Sequence, residues 1–265
     1  MKTYSLFTTL CLLMLFACKS EEKQAKKEDM SASASAVTSK SDVSEKELQI
    51  SPISHATMVL TYGDDAIFVD PTGDAEAFKS YAAPKLVLIT DIHDDHFQIE
   101  TLNSLDLKSA TIVAPKAVSD KFPEDFEYGK LVVLNNGDTQ NIMGYSIEAI
   151  PMYNLREEAL KFHPKGRGNG YVITFGDERV YISGDTEDIP EMRQLENIDI
   201  AFVCMNLPYT MTVESAVSAV LEFKPTKVYP YHYRGTEGFA DVEKFKTLVN
   251  QGDESIEVVQ LDWYK

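Results

Sequence analysis

A chain of 265 residues holds a leading segment and one catalytic domain of about 215 residues, within the ordinary range for a single domain. Its composition, 44% hydrophobic and 25% charged, is that of a globular protein with a sizeable core. A formal net charge of -17 repels phosphate backbones and excludes nucleic acid as a partner on bulk charge.

Residues 1–17 read as a targeting signal. Lys2 precedes an apolar run of Leu6, Phe7, Leu10, Leu12, Leu13, Met14, Leu15 and Phe16 that is short for a membrane span. The run ends in Leu15-Phe16-Ala17-Cys18, which resembles a bacterial lipobox. That resemblance implies a lipid on Cys18 and an anchor in the bacterial cell envelope, with the outer membrane expected. Residues 18–48, rich in Ser, Ala, Lys and Glu without apolar periodicity, are a tether. Within it, Glu21-Glu22 is similar to acidic signals that sort some lipoproteins to the cell surface. Of the other cysteines, Cys11 leaves with the signal. Cys204 then stands alone among Phe202, Val203 and Met205, so it is expected to be buried and unpaired.

The domain occupies 49–265. Short β-rich runs are predicted at 57–62, 66–69, 86–90, 111–114, 131–134, 145–150, 171–175, 179–183, 200–204 and 227–231. Turn signals such as Gly63-Asp64, Asn136-Gly137 and Gly176-Asp177 bound them. The clearest helix is 212–223, where Val213, Ala216, Val217, Val220 and Leu221 share a face and Thr212 is placed to cap. Weaker helices are predicted at 98–107 and 241–250. Early strands form hairpins and later strands alternate with helices, so two packed sheets with helices outside are expected.

The apolar strand Val87-Leu88-Ile89 runs into Thr90-Asp91-Ile92-His93-Asp94-Asp95-His96-Phe97. Four ligand types (Asp91, His93, Asp95, His96) thus fall in six residues at a strand end. Imidazole nitrogen and carboxylate oxygen suit borderline dications such as zinc or manganese. A solvated surface loop does not ordinarily concentrate histidines directly after an apolar strand.

This loop is similar to the His-x-His-x-Asp-His motif of the metallo-β-lactamase superfamily. His55 with Phe68-Val69-Asp70-Pro71, Ser183-Gly184-Asp185-Thr186 and Tyr229-Pro230-Tyr231-His232 complete the resemblance across 49–265. Within the superfamily, the group similar to ascorbate-6-phosphate lactonase resembles the chain most. The resemblance implies an α/β fold, a four-layer αββα sandwich of two mixed β-sheets flanked by helices. It also implies two divalent ions, zinc with manganese as the alternative. His93 would serve site one, Asp95, His96 and His232 site two, and Asp185 would bridge. Asp91 takes the place of the motif's first histidine. Asn154 takes the place of a further site-one histidine, with His163, nine residues on, as the alternative ligand. Asp95 is the expected catalytic residue, orienting water and moving its proton.

The segment from Phe162 to Tyr171 is basic and glycine-rich in an acidic chain. Lys165 and Arg167 are expected to hold an anionic group of the substrate, with His55, His163 and Tyr209 as further substrate contacts. The favoured reading is hydrolysis of a small ester or lactone. The alternatives are a lipid-directed phosphodiesterase of the same fold and a non-catalytic metal- or ligand-binding lipoprotein.

Overall fold

The computed structural model describes residues 46–264, which belong to one unit spanning Glu45–Lys265. The expected signal, the lipidated Cys18 and most of the tether lie outside the described residues. Among those described, no helix is long and apolar enough to cross a membrane.

Two mixed sheets carry the fold. The first joins β1 (Leu48–Ser54), β2 (Thr57–Tyr62), β3 (Asp65–Val69), β4 (Leu86–Leu88), β5 (Thr111–Ala114) and β6 (Lys130–Val133) in sequence order. Its first three strands are antiparallel and β3 to β6 run parallel. The second sheet begins with β7 (Thr139–Ile142), β8 (Tyr145–Met152), β9 (Gly168–Phe175) and β10 (Glu178–Ile182), an antiparallel meander. It continues in parallel through β11 (Ile200–Cys204), β12 (Lys227–Tyr231) and a short final strand, Glu257–Val258.

Alternation along the strands explains the layers. Ile67 and Val69 of β3 and Leu86 and Leu88 of β4 face the second sheet within one large core. Ala66, Phe68, Val87 and Ile89 point the other way and pack on Phe97, Leu102 and Val118. Leu102 lies in α1 (Ile99–Ser104) and Val118 in α2 (Lys116–Ser119). A strand covered on both faces reads as a continuous apolar run, as Val87-Leu88-Ile89 does. The second sheet's outer face is covered by α4 (Val213–Phe223) and α5 (Val242–Gly252), with the one-turn α3 (Pro190–Arg193) packed beside α4. On α4, Ala216, Val217, Val220 and Phe223 are buried, and the Thr212 side chain accepts a hydrogen bond from the Ser215 amide at 3.1 Å. The expected two-sheet α/β architecture with flanking helices is therefore present.

The differences are local. The strands Leu48–Ser54 and Thr139–Ile142 were not predicted; the latter is largely exposed, so it lacks an apolar signal. The helix predicted over 98–107 is shorter, ending at Ser104 where Leu105 turns extended.

The topology gathers loops at one edge. The ends of β3, β4, β8, β10 and β12 and the start of β9 all open there, because β3 and β4 are parallel, as are β10 to β12, while β9 runs against its neighbours. Ligand sites in α/β sheets form at such carboxyl ends.

Candidate metal centre

All five histidines of the chain meet at this edge, in three mutually close groups: His55, Asp95 and His232; Asp91, His93 and His163; His96, Asp185 and His232. They arrive from five separate loops, so neither local sequence nor chance surface clustering accounts for the convergence.

The fully buried His96 follows β4. Its Nδ1 lies 2.8 Å from Asp70 Oδ2 and 2.9 Å from Thr90 Oγ1, and Asp70 also accepts from the Thr90 amide and hydroxyl at 2.7 and 2.6 Å. A carboxylate partner favours a proton on Nδ1 and leaves Nε2 facing the cluster as the available ligand atom. That Nε2 has no hydrogen-bond partner and lies 3.5 Å from Asp185 Oδ2 and 3.8 Å from Asp95 Oδ1. His232 Nε2 lies 3.3 Å from both Asp95 Oδ2 and Asp185 Oδ1. Asp185 reaches the other group too: its Oδ2 is 3.3 Å from His163 Nε2. Its Oδ1, buried, makes no hydrogen bond. Two further buried atoms nearby, His55 Nδ1 and His232 Nδ1, are also unpartnered.

The electrostatics follow from this packing. Burial raises the Asp185 carboxyl, but the neighbouring His232, His96 and His163 outweigh it and hold the group well below the usual carboxylate range. Asp95 behaves likewise: burial raises it, while His96 and His232 pull it down. Burial lowers His55 to about 4, assisted by His232 and Arg234. His55, Asp70 and His232 all adopt φ near +45 to +50° (50, 43 and 45°), left-handed backbone that costs about 1–3 kcal/mol at a non-glycine residue and concentrates at functional sites.

Of the residues expected for site two, the structure groups His96, Asp185 and His232, with Asp95 Oδ2 3.3 Å from His232 Nε2. Their two nitrogens and two carboxylates match the donors that zinc and manganese accept, and the orphaned His96 Nε2 and Asp185 Oδ1 are what a bound cation satisfies. These residues fit a divalent ion.

The other half differs from expectation. Asn154 Oδ1 is buried without a hydrogen-bond partner. Its amide donates to the carbonyls of Ala159 and Tyr209 at 2.9 and 2.7 Å, which fixes the loop behind His163. His163 Nδ1 lies 3.1 Å from the Tyr209 carbonyl and 3.2 Å from Asn154 Nδ2, and its Nε2 faces Asp185. His163, the expected alternative nine residues on, is the residue grouped with Asp91 and His93, and Asn154 lies directly behind it. Lys165 is not in the site. Its ammonium pairs with Glu191 at 2.7 Å and lies over the Tyr153 ring. Arg167 spends its guanidinium on Asp91, with Nε and NH2 3.2 and 3.0 Å from the two oxygens.

A cavity of about 400 Å³ opens beside the cluster, lined by His93, Asp95, Phe162, His163, Asp185, Asn206 and Tyr209. Of the expected substrate contacts, His163 and Tyr209 line it. His55 sits on the opposite flank, against His232 and Tyr264 and 2.6 Å from Arg234. Three residues were missed. Asp70 and Thr90 set the His96 ring; the Asp70-Pro71 step carried the signal. Asn206, with Nδ2 3.4 Å from His232 Nε2, reads in sequence as an ordinary turn former after β11.

Residues 49–232 match the beta-lactamase superfamily domain, and the chain belongs to that family. Among its relatives, a UPF0173 metal-dependent hydrolase of Natranaerobius thermophilus is 30% identical over 220 residues, covering 75% of this chain and 90% of that protein. One from Pyrococcus horikoshii is 28% identical over 214 residues, covering 77% and 93%. A crystal structure of a protein described as a metal-dependent hydrolase from Parabacteroides distasonis is 39% identical, with a TM-score of 0.72 over 81% of this chain and 93% of that one.

Proposed function

We infer that the protein is a metal-dependent hydrolase of small esters or lactones, with Asp95, His96, Asp185 and His232 as the ion-holding set. The convergence of all five histidines and two unpartnered buried ligand atoms beside a small-molecule-sized cavity carries this reading. The relatives described as metal-dependent hydrolases support it. A divalent ion bound there supplies Lewis acidity, polarising a carbonyl and lowering the pKa of water toward about 7.

The chain's own groups do the rest. Asp95, partly exposed toward the cavity, orients the attacking water and takes up its proton. The Asn206 amide and the Tyr209 side chain, both lining the cavity, donate to the oxygen that gains charge. Phe162, packed edge-on against Tyr209, walls off bulk water. Zinc is the favoured ion and manganese the alternative. The resemblance to the ascorbate-6-phosphate lactonase group favours a lactone.

The test is a panel of lactones, esters and phosphodiesters with zinc or manganese restored. Asp95→Asn and His96→Ala are expected to abolish turnover while circular dichroism is unchanged; full activity in either variant overturns the assignment. A phosphodiester preference would replace the substrate class.

We further propose that the chain is anchored to the bacterial envelope through lipid on Cys18, a reading supported by residues 1–18 alone. Detergent-phase partitioning that persists in Cys18→Ala would overturn it.

A further inference from the structure

The two halves of the centre are not equally ready for a cation. In one half, His96 Nε2 and Asp185 Oδ1 are buried without partners. Among the described residues, no lysine or arginine pairs with Asp95, His96, Asp185 or His232. In the other half a cation is already present. Arg167 grips both oxygens of the fully buried Asp91, and the same NH2 lies 3.3 Å from His93 Nε2. It also donates to the Phe162 carbonyl. His93 Nδ1 completes the set, 2.7 Å from Asp91 Oδ2.

A guanidinium does not lose its proton in proteins, and its planar fork matches a carboxylate in this two-point manner. A second divalent ion between Asp91, His93 and His163 would have to take ligand atoms that Arg167 already holds and stay beside a permanent positive charge. The Asp91 carboxylate, standing where the motif has a neutral histidine, provides the negative charge that the guanidinium balances.

We propose that Arg167 occupies the role of the second metal ion, so that the protein binds one divalent ion at Asp95, His96, Asp185 and His232. This rests on the metal-dependent reading of the centre and refines it. The two-ion expectation drawn from the family resemblance is replaced by one ion and one fixed organic cation. His93 and His163 then remain as cavity-lining groups for the substrate, which explains why both border the cavity.

The test is stoichiometry. The purified protein is equilibrated with excess zinc, freed of loose metal by buffer exchange, and its zinc measured by elemental analysis and native mass spectrometry. One zinc per chain is expected. Arg167→Ala and Arg167→Gln, both checked for folding by circular dichroism, are expected to rise to two. His93→Ala is expected to keep one, and His232→Ala to lose it. Two zinc ions in the unaltered protein overturn the proposal. So does a single ion in both folded Arg167 variants, or loss of the ion in His93→Ala. No retained zinc in the unaltered protein is a different failure, that of the metal-dependent reading itself.

Discussion

Nδ1 of His96 lies 2.8 Å from Oδ2 of Asp70, and both side chains are fully buried. Burial alone lifts the Asp70 carboxyl, and the His96 charge with hydrogen bonds from His96 and Thr90 offsets only part of that rise. The carboxylate has no solvent to fall back on, so its hydrogen bonds fix the imidazole's tautomer and orientation.

Asp70→Asn keeps the shape and removes the charge that selects the Nδ1 proton. Outer partners of metal-binding histidines are worth about 10–100-fold in metal affinity, and a loss in that range is expected. Competition with a chromogenic chelator measures it. Affinity equal to that of the unaltered protein would show that Thr90 alone orients the ring.

Much of this was legible before any coordinates. His93, Asp95, His96, Asp185 and His232 each follow or end an apolar strand, and strand ends are visible as changes in period. The positions of Asn154, Lys165 and Arg167 were not legible. Their roles depend on how the chain from Asn154 to Gly168 folds back, and that fold-back is set by contacts to Glu187 and the Tyr209 carbonyl, distant in sequence. Composition marked the basic segment as unusual, but a charge pattern does not say which carboxylate a lysine or arginine meets. The exposed strand Thr139–Ile142 was missed for a simpler reason: edge strands with polar residues carry no apolar signal.

Glu187 controls that fold-back. Its buried carboxylate accepts from the amides of Leu155 and Arg156 at 2.9 Å each, and from Arg156 Nε at 2.6 Å. Arg156 in turn donates to the Pro208 and Thr210 carbonyls, tying the His163 loop to the Tyr209 loop. Hydrogen bonds to a charged group contribute about 1.5–3 kcal/mol, so Glu187→Ala is expected to lower stability by at least that amount in chemical denaturation. Amide hydrogen exchange should rise across 154–163 more than in β10. Uniform exchange across the domain would refute a local role.

Gly170 lies where β9 passes β10. A Cβ there would stand 2.8 Å from the Ser183 carbonyl oxygen and 2.9 Å from that of Ile182, backbone atoms that cannot rotate away. These are the last residues before the Gly184-Asp185 turn. Gly170→Ala is expected to cost about 1–3 kcal/mol, as overpacking does, and to weaken zinc retention by displacing Asp185. Gly73→Ala makes no contact within 4 Å but is strained by its φ of +82°. It serves as the control: stability falls while zinc retention holds.

Cys204 is fully buried at the end of β11, and burial, with the nearby Asp185 charge, pushes its thiol up to about 12. The thiol is therefore neutral and shielded at pH 8. Iodoacetamide is expected to leave the Cys204 peptide unmodified in the native protein and to alkylate it fully in denaturant, read by mass spectrometry. The raised folded value also fixes a sign. Below the unfolded thiol's pKa near 9 the group costs nothing, and between there and about 12 only the unfolded chain ionises, so this residue removes stability as pH rises. Native alkylation at pH 8 would mean that the end of β11 opens locally.

Removing the ion should be felt by the whole fold. Asp95, Asp185, His96 and His232 come from three separate loops, and a bound cation satisfies atoms that otherwise stay buried and unpaired. A ligand that binds only the folded state stabilises it by about 2.7 kcal/mol at a hundredfold excess over its dissociation constant. For a domain of this size, about 2–4 °C per kcal/mol places the expected fall in Tm on chelation at roughly 5–11 °C. Zinc re-addition should restore it. In His232→Ala the same chelator should shift Tm by far less, since a principal ligand is already absent. An equal shift in that variant would place the stabilising ion elsewhere, and no shift in the unaltered protein would show that these four residues hold their arrangement without a cation.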